Sequence, residues 1–207
     1  MALLLQGAAT AQTFTATVIS IGDGDTLRVR EANRTVNVRL ACIDAPESSQ
    51  APFGTEARKQ LQELAPVGSA VELRIKATDR YGRSVAELTR GGRNLNQALV
   101  ALGAAFVYWP FINGCDRQTY GRMETEARLK GRGVWGVSGG VTRPWDFRKR
   151  QRSQSEERMG TSPALHYTDE ISSLRSKQVS ALCKRDSGSM FHFRRIQTEE
   201  SRDNTQS

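Results

Sequence analysis

The hydrophobic and polar positions of this chain follow two different periods, which predict a small α+β domain. Alternation with a period of two predicts five strands, and a brief extended piece at 104–108 follows them; the strands cover 14–21, 26–30, 35–43, 70–76 and 84–88. Helical spacing predicts three α-helices, at 54–64 with Thr55 as N-cap, at 94–102 and at 120–130. Because the first three strands are consecutive and joined by short turns, the pattern favours a five-stranded OB-fold β-barrel with three α-helices.

The two ends of the chain have a different character from residues 13–147, which we take as the folded domain. Residues 1–12 contain a short apolar stretch and the small-x-small site Ala9-Thr10-Ala11. They are interpreted as a truncated signal peptide remnant, or else as an incidental apolar end. The first interpretation predicts a secreted or periplasmic protein, and no stretch is apolar enough to predict stable membrane association.

Residues 148–207 are predicted to be a disordered tail. They begin with the basic run 148–152 and continue as a segment rich in Ser, Arg, Glu and Gln without periodicity. The basic run is interpreted as a solvated charge cluster, with contact to a nucleic acid or an anionic surface as the alternative.

Charge and composition narrow the chemistry. The net charge of +8 favours a polyanionic partner, although solubility alone would also explain it. The three cysteines show no zinc-binding spacing, and both histidines lie in the tail, which argues against a zinc site or a histidine mechanism. Cys42 and Cys115 form a disulfide if the protein is exported, or are small buried apolar residues in a reducing compartment.

Four carboxylates stand at turns: Asp23, Asp25, Asp44 and Glu47. Asp23 is explained by the Asp23-Gly24 turn alone, whereas nothing local requires a carboxylate at position 25. Two aspartates from different strands, a backbone carbonyl and waters are a sufficient ligand set for a hard divalent cation. Glu47 follows the rigid Pro46 and can orient or deprotonate water; a solvent-exposed residue is the alternative.

Two arginines complete the set. Arg39 begins an otherwise apolar run and Arg83 follows a Tyr-Gly turn. A guanidinium matches two phosphate oxygens and stabilises the charge of a phosphodiester transition state. Salt bridges from Arg39 to Asp44 and from Arg83 to Asp79 are the structural alternative. Together, these residue types indicate a metal-dependent phosphodiesterase acting on nucleic acid.

Four motifs resemble the staphylococcal nuclease (thermonuclease) family. In family order and spacing they are Asp23-Gly-Asp-Thr26, Arg39-Leu-x-x-Ile-Asp-x-Pro-Glu47, Asp79-Arg-Tyr-Gly-Arg83 and Ala127-Arg-x-x-x-Arg-Gly-Val-Trp135. Each motif alone is weak, but four in order are specific. The resemblance runs from about Phe14 to Trp135, a little over half the chain, and it implies the same OB barrel with three helices.

The resemblance also implies roles for individual residues. Asp25 and Asp44 are similar to the family's calcium carboxylates, and Ala45 stands where the type member has a threonine that binds calcium through its backbone carbonyl. Arg39 and Arg83 resemble the phosphate-binding catalytic arginines, and Glu47 the glutamate that activates water. Positions similar to nucleotide-contacting residues are Arg80, Tyr81, Phe106 and Tyr108. Phe106 replaces a tyrosine, so it can stack on a base but cannot donate a hydrogen bond.

The function implied is a calcium-dependent endonuclease that hydrolyses DNA and RNA with little sequence preference, and we expect it to act as a monomer. The alternative is a nucleic-acid-binding module that has lost catalysis, and a weaker one is an OB-fold protein for another anionic ligand. Cys42 and Cys115 are not part of the type member's pattern, so a disulfide between them would be a feature of a subgroup of the family.

Overall fold

The computed structural model describes residues 13–160, and its centre is a closed five-stranded barrel. Its strands are β1 Thr13–Ile21, β2 Thr26–Glu31, β3 Arg34–Leu40, β5 Ala70–Thr78 and β6 Ser84–Arg90. β1, β2 and β3 form an antiparallel meander, β5 pairs with β1, and β6 pairs with β5. The parallel pairing of β3 with β6 closes the barrel. The predicted five-stranded barrel is confirmed.

Three two-residue strands extend this framework. β4 Ile43–Asp44 pairs antiparallel with β8 Phe106–Val107, and β7 Arg93–Asn94 pairs with the end of β6. The pairing of β4 with β8 lies outside the barrel sheet and brings Asp44 opposite Phe106. It therefore fixes the chain directly after β3, where the candidate site residues are concentrated.

The third predicted strand, 35–43, is broken in the structure. β3 ends at Leu40, Cys42 takes a left-handed conformation with φ 66°, and β4 begins at Ile43. The backbone carbonyl of Ala41 accepts a hydrogen bond from the Asn96 side chain at 2.9 Å, which satisfies the polar backbone at the break. Cys42 is disulfide-bonded to Cys115, so the oxidised alternative is the one present in this structure.

The helices are α1 Phe53–Leu64, α2 Leu95–Ala101, α3 Arg117–Leu129 and α4 Pro144–Gly160, and two single 3-10 turns span Trp109–Phe111 and Gly133–Trp135. α1 begins before Thr55, so the predicted N-cap is wrong, and Pro52 stands in that position without a side-chain cap. α3 begins three residues before the predicted start because Asp116 accepts a hydrogen bond from the Thr119 amide.

The fourth helix was not predicted. Residues 148–160, expected to be disordered, continue a helix that starts at Pro144, with proline at a position that needs no amide donor. The contacts of α4 described below lie within the compact unit that ends at Ser155. The predicted signal remnant and the tail beyond residue 160 lie outside the described residues. No helix within residues 13–160 is long and apolar enough to cross a bilayer.

The core fills the barrel and the space between the barrel and the helices. Alternate residues of the strands point inward, such as Val18 of β1, Val29 of β2 and Leu73 of β5, and each is fully buried. Leu61 of α1 and Leu99 of α2 are buried against the same cluster. Buried positions alternate with exposed ones in these strands, in keeping with a period of two.

Candidate active site

Two aspartates and one arginine meet where β3 gives way to β4. Asp25 precedes β2, Arg39 lies in β3 and Asp44 lies in β4. One nitrogen of Arg39, Nη2, lies 3.1 Å from Asp25 Oδ2 and 2.7 Å from Asp44 Oδ1. Asp25 Oδ2 also accepts from the Ala45 amide at 3.1 Å. A single guanidinium therefore bridges two carboxylates from distant parts of the sequence.

The loop before Asp25 is built to present that residue. Asp23 Oδ1 accepts hydrogen bonds from the Asp25 amide at 3.1 Å and from the Thr26 hydroxyl at 2.7 Å. This is the turn role expected for Asp23. A Cβ on Gly24 would lie 2.6 Å from the Cβ of Ala57 and 2.7 Å from that of Ala45, so only glycine lets the loop pass between α1 and the Asp44-Ala45 turn.

The electrostatics of the three groups are those of a buried ionic cluster. Asp25 is only 3% exposed, and burial raises its pKa well above the ordinary value even though Arg39 opposes the shift. Burial alone would lower the pKa of Arg39, but Asp25 and Asp44 raise it above its ordinary value. The guanidinium thus stays charged and holds the two aspartates in place.

The donor chemistry of this cluster fits a hard divalent cation. Asp25 Oδ2 and Asp44 Oδ1 both contact Arg39 Nη2, so the two carboxylates are neighbours, and oxygen donors are those that calcium and magnesium prefer. Within residues 13–160 no group of three or more His, Cys, Asp or Glu side chains is arranged as a metal cage. A cation held by these two aspartates would complete its shell with backbone oxygen and water, and the predicted role of the Ala45 carbonyl stays a prediction.

Glu47 projects from a turn that several contacts fix. Its amide donates to Gln50 Oε1 at 3.0 Å, and Gln50 Nε2 donates to the Thr142 carbonyl at 2.8 Å. The Gln50 amide donates to the Glu47 carbonyl at 2.8 Å. The carboxylate of Glu47 accepts a hydrogen bond from Arg148, and about a third of its side chain is exposed. Glu47 is therefore neither buried nor free, but held at the edge of the cleft.

Arg83 lies across the cleft in a turn organised by Asp79. Asp79 Oδ1 accepts from the amides of Tyr81 and Arg83, both at 2.9 Å, while Asp79 Oδ2 accepts from Arg83 Nε at 2.7 Å. Burial alone would raise the pKa of Asp79, but the hydrogen bonds from Arg83 and Tyr81 lower it below its ordinary value. The salt bridge from Arg83 to Asp79, the structural alternative, is thus present. It uses only one edge of the guanidinium, which has five N–H donors, so the other N–H groups can still bind another acceptor.

Arg80 and Tyr81 form the exposed rim of the same turn. Tyr81 is 68% exposed, and the guanidinium carbons of Arg80 and Arg83 lie 4.8 Å and 5.4 Å from its ring centroid. An exposed ring beside two cations is suited to stacking against a base whose phosphate is near. The structure brings both predicted residues to the cleft.

The two predicted aromatic residues of the 106–108 segment have different surroundings. Tyr108 lines the cleft, and its ring stacks on Phe111 with centroids 5.2 Å apart. Phe106 is 1% exposed and packs edge-on against Trp135 at 5.2 Å, with the Arg143 guanidinium carbon 4.3 Å from its ring centroid. Both the core and Arg143 therefore cover the Phe106 ring in this structure, and the base contact expected of it stays a prediction.

One cleft collects the predicted residues. Its lining contains Asp25, Arg39, Ala45, Glu47, Arg80, Tyr81, Arg83 and Tyr108. Asp44 lies beneath this lining, with its side chain 1% exposed. The cleft therefore brings carboxylate oxygens and guanidinium groups into one enclosure, a combination of groups that suits phosphodiester hydrolysis.

Two further residues of the cleft come from α4, Arg148 and Arg152. Arg148 binds both Asp44 and Glu47, and sequence reasoning missed it because a basic run resembles a solvated charge cluster. Trp145 was the available signal. A large apolar residue three positions before Arg148 indicates a helix face that docks, and Trp145 does pack on Tyr108 at 5.1 Å.

Comparisons with known proteins agree with this geometry. A family model described as staphylococcal nuclease homologue matches residues 37–137. The chain is 36% identical over 149 residues to a protein of Shigella flexneri named micrococcal nuclease, covering 68% of this chain and 83% of that protein. It is 34% identical over 139 residues to a protein of Haemophilus influenzae named uncharacterized endonuclease, covering 67% of this chain and 75% of that protein.

A plant relative shares a smaller part of its length. The chain is 32% identical over 115 residues to staphylococcal-like nuclease CAN1 of Arabidopsis thaliana, which covers 56% of this chain and 34% of that protein. The two bacterial matches cover most of this chain and of each relative, and the barrel is the one that the motifs predict. This chain belongs to the staphylococcal nuclease homologue family.

Proposed function

We propose that this protein is a calcium-dependent endonuclease that hydrolyses the phosphodiester bonds of DNA and RNA with little sequence preference. The observation that carries the proposal is the convergence of Asp25, Asp44, Arg39, Glu47 and Arg83 at one cleft. Relatives named as nucleases support the reaction class. The net charge of +8, and the exposed Tyr81 beside Arg80 and Arg83 on the rim, support nucleic acid as the substrate.

In this proposal each residue has one task. Asp25, Asp44 and the Ala45 carbonyl bind calcium, which when bound supplies positive charge against the scissile phosphate. Arg39 and Arg83 donate to the phosphate oxygens through N–H groups that their carboxylate partners leave unused. Glu47 accepts a proton from water as the water oxygen attacks phosphorus, and the bond from phosphorus to the leaving oxygen breaks.

Substrate binding beyond the scissile phosphate is assigned to the rim. Tyr81 and Tyr108 offer ring surface to bases, and Arg80 offers charge to a neighbouring phosphate. None of these contacts reads the hydrogen-bonding edge of a base, which is why we propose little sequence preference. The enzyme is proposed to act as a monomer without stable membrane association.

A secreted or periplasmic location is also part of the proposal. The Cys42–Cys115 disulfide supports it, because disulfides persist in oxidising compartments.

The proposal is tested by digestion of plasmid DNA and total RNA with calcium and with EGTA. Wild-type protein should cleave both substrates only with calcium. Glu47→Gln should lose about 100-fold to 10,000-fold of the rate, since a general base contributes about that factor. Glu63→Gln is the matched control, because it makes the same change on an exposed turn of α1.

Arg83→Ala should also reduce cleavage strongly, and thermal melting should show that the variant remains folded. Equal digestion by wild type, Glu47→Gln and Arg83→Ala would disprove the proposed mechanism. Salt-sensitive filter binding of nucleic acid without any cleavage would favour the binding-module alternative instead.

A further inference from the structure

The Arg148 guanidinium is shared between two carboxylates of the site. Its Nη2 donates to Asp44 Oδ2 at 2.7 Å, and its Nη1 donates to Asp44 Oδ1 at 3.2 Å and to Glu47 Oε1. Asp44 also accepts from Arg39, so both of its oxygens face a guanidinium nitrogen. The Asp44 side chain is consequently 1% exposed, whereas that of Arg148 is 32% exposed and borders the cleft.

The backbone that carries Arg148 is fixed close to the site. The Trp145 ring packs against Tyr108 at 5.1 Å and against Phe106 at 6.3 Å. Just before α4, the Thr142 carbonyl accepts from Gln50, the same side chain that orients the Glu47 turn. The helix start and the turn of the proposed base are thus joined, which leaves the long side chain of Arg148 as the part that can move.

The faces of α4 differ in what they meet. Arg152 lies four residues after Arg148, on the same side of the helix, and lines the same cleft as Arg39 and Arg83. Lys149 and Arg150 line a separate surface depression with Asp146. The cleft therefore receives positive charge from one face of α4, and Lys149 provides a comparison residue of equal charge outside it.

The ion pairs of Arg148 conflict with the tasks proposed for its partners. Asp44 can bind a cation, and Glu47 can accept a proton from water, only if each carboxylate first releases the Arg148 guanidinium. A guanidinium displaced from its carboxylates at a partly buried position needs another anion, because an unpaired charge there is costly. The anion that enters this cleft is the substrate phosphodiester, and a planar fork matches its two free oxygens.

We propose that Arg148 is an additional substrate-phosphate-binding residue of this site, stored on Asp44 and Glu47 until substrate and cation arrive. This rests on the proposed nuclease function and adds to it a residue that lies outside the region matched by the family model, 37–137. Arg148 positions the phosphate and leaves bond cleavage to the residues already named.

The test measures two affinities by calorimetry on the full chain. The first is the affinity for calcium alone, and the second is the affinity for a nucleoside 3′,5′-bisphosphate in saturating calcium. The bisphosphate has phosphate groups but no diester to cleave. Arg148→Ala should bind the bisphosphate about 10-fold or more weakly, the loss expected for one charge-assisted contact. The same variant should bind calcium more tightly, because the competing guanidinium is gone.

Lys149→Ala should change neither affinity more than about twofold, since an exposed charge contributes little. Arg148→Lys should keep part of the bisphosphate affinity, because it keeps the charge and loses the fork. Thermal melting of each variant confirms that it is folded. In steady-state digestion, Arg148→Ala should raise KM more than it lowers kcat.

The outcomes separate the two proposals. If wild type binds calcium and cleaves nucleic acid while Arg148→Ala binds the bisphosphate equally well, Arg148 is only a counter-ion and the present inference is wrong. If Arg148→Ala and Lys149→Ala weaken binding equally, general charge explains the effect and the inference is also wrong. If wild type neither binds calcium nor cleaves, the proposed function fails, and the inference fails with it.

Discussion

At the scale of single residues, the carboxylate of Glu87 shows how a charge is kept inside this fold without serving the cleft. It accepts hydrogen bonds from Asn94 Nδ2 at 3.0 Å and from the Tyr120 hydroxyl at 2.9 Å, and Lys76 Nζ lies 2.8 Å away. Burial alone would raise its pKa, but these partners hold the pKa below the ordinary value of 4.5. Burial raises the pKa of Tyr120, so its hydroxyl remains a donor.

This arrangement predicts a specific pH dependence for Glu87→Gln. A depressed pKa stabilises the fold fully above the unfolded value of 4.5, and that contribution disappears as pH falls through the lower folded value. The variant should therefore lose about 1–3 kcal/mol of unfolding free energy at pH 7. The difference from wild type should narrow below pH 4.5.

Urea unfolding between acidic and neutral pH measures this difference. The exposed Glu72→Gln on β5 is the control and should follow wild type throughout. If the loss of unfolding free energy in Glu87→Gln did not change with pH, the negative charge of Glu87 would not be what stabilises these contacts.

The residues of the cleft differ in how far the sequence could predict them. Five residues belong to short sequence motifs in which charged side chains stand beside turns or begin an apolar run, and the structure places them around one cleft: Asp25, Arg39, Asp44, Glu47 and Arg83. Phe106 could not be judged from sequence, because its burial depends on Trp135 and Arg143, which come from later segments. Arg148 was missed for the same reason, since its partners lie far away in sequence.

At the scale of elements, the start of α1 sets the position of the proposed base. A Cβ on Gly54 would lie 2.0 Å from the Glu47 carbonyl oxygen and 2.8 Å from the Ser48 Cα. Both contacts are with backbone, which cannot rotate away as a side chain can. Glycine at this position therefore allows the first turn of the helix to lie directly against the Glu47 turn.

Gly54→Ala should consequently damage the site more than helix propensity would suggest. Alanine favours a helix over glycine, but the overlap with backbone should cost about 1–3 kcal/mol and shift Glu47. A shift of that kind should lower kcat by about 10-fold to 100-fold. Melting and digestion of the same preparation measure both effects.

Gly121→Ala in α3 is the matched control. Its new Cβ would meet the Trp109 ring at 3.2 Å, a side-chain contact far from Glu47 in the chain. The control should lose less stability and keep its activity. Equal kinetic losses in the two variants would contradict the role given to Gly54.

Most elements were predictable because their signals are local. The barrel strands show period-two burial, and caps such as Asn94 stand beside the helices that they start. The break after Leu40 was not predictable, since the left-handed Cys42 is held by a disulfide and by the β4–β8 pairing. α4 was not predicted because its polar composition shows no sustained apolar face, and its Trp145 packs against Phe106, which is remote in sequence.

At the scale of the whole molecule, the disulfide links the turn between β3 and β4 to the segment before α3. Cys42 and Cys115 are separated by 73 positions, and their Cα atoms lie 6.6 Å apart. A crosslink that closes a long loop typically contributes about 2–4 kcal/mol, because it restricts the unfolded chain. It also holds the turn that leads to Asp44.

Replacing both cysteines, Cys42→Ser with Cys115→Ser, should lower the unfolding free energy by about that amount, 2–4 kcal/mol. Reduction of wild-type protein should lower its melting temperature in the same direction. Cys183→Ser, which changes the third cysteine of the chain, is the control and should melt like wild type. Identical melting of oxidised and reduced protein would mean that the crosslink stabilises nothing.

The closure of the barrel has a consequence for the order of events during folding. Arg39 stands opposite Val85 in the parallel β3–β6 pair, and Arg83 directly precedes the Ser84 that stands opposite Val38. β3 and β6 are remote in sequence, so their pairing requires the closure of a long loop. Hairpins and meanders need only short loops, and the closure of long loops is slower. The two proposed phosphate-binding arginines come together only when β3 pairs with β6. We therefore expect a partly folded chain to form its hairpins and helices before it forms the site.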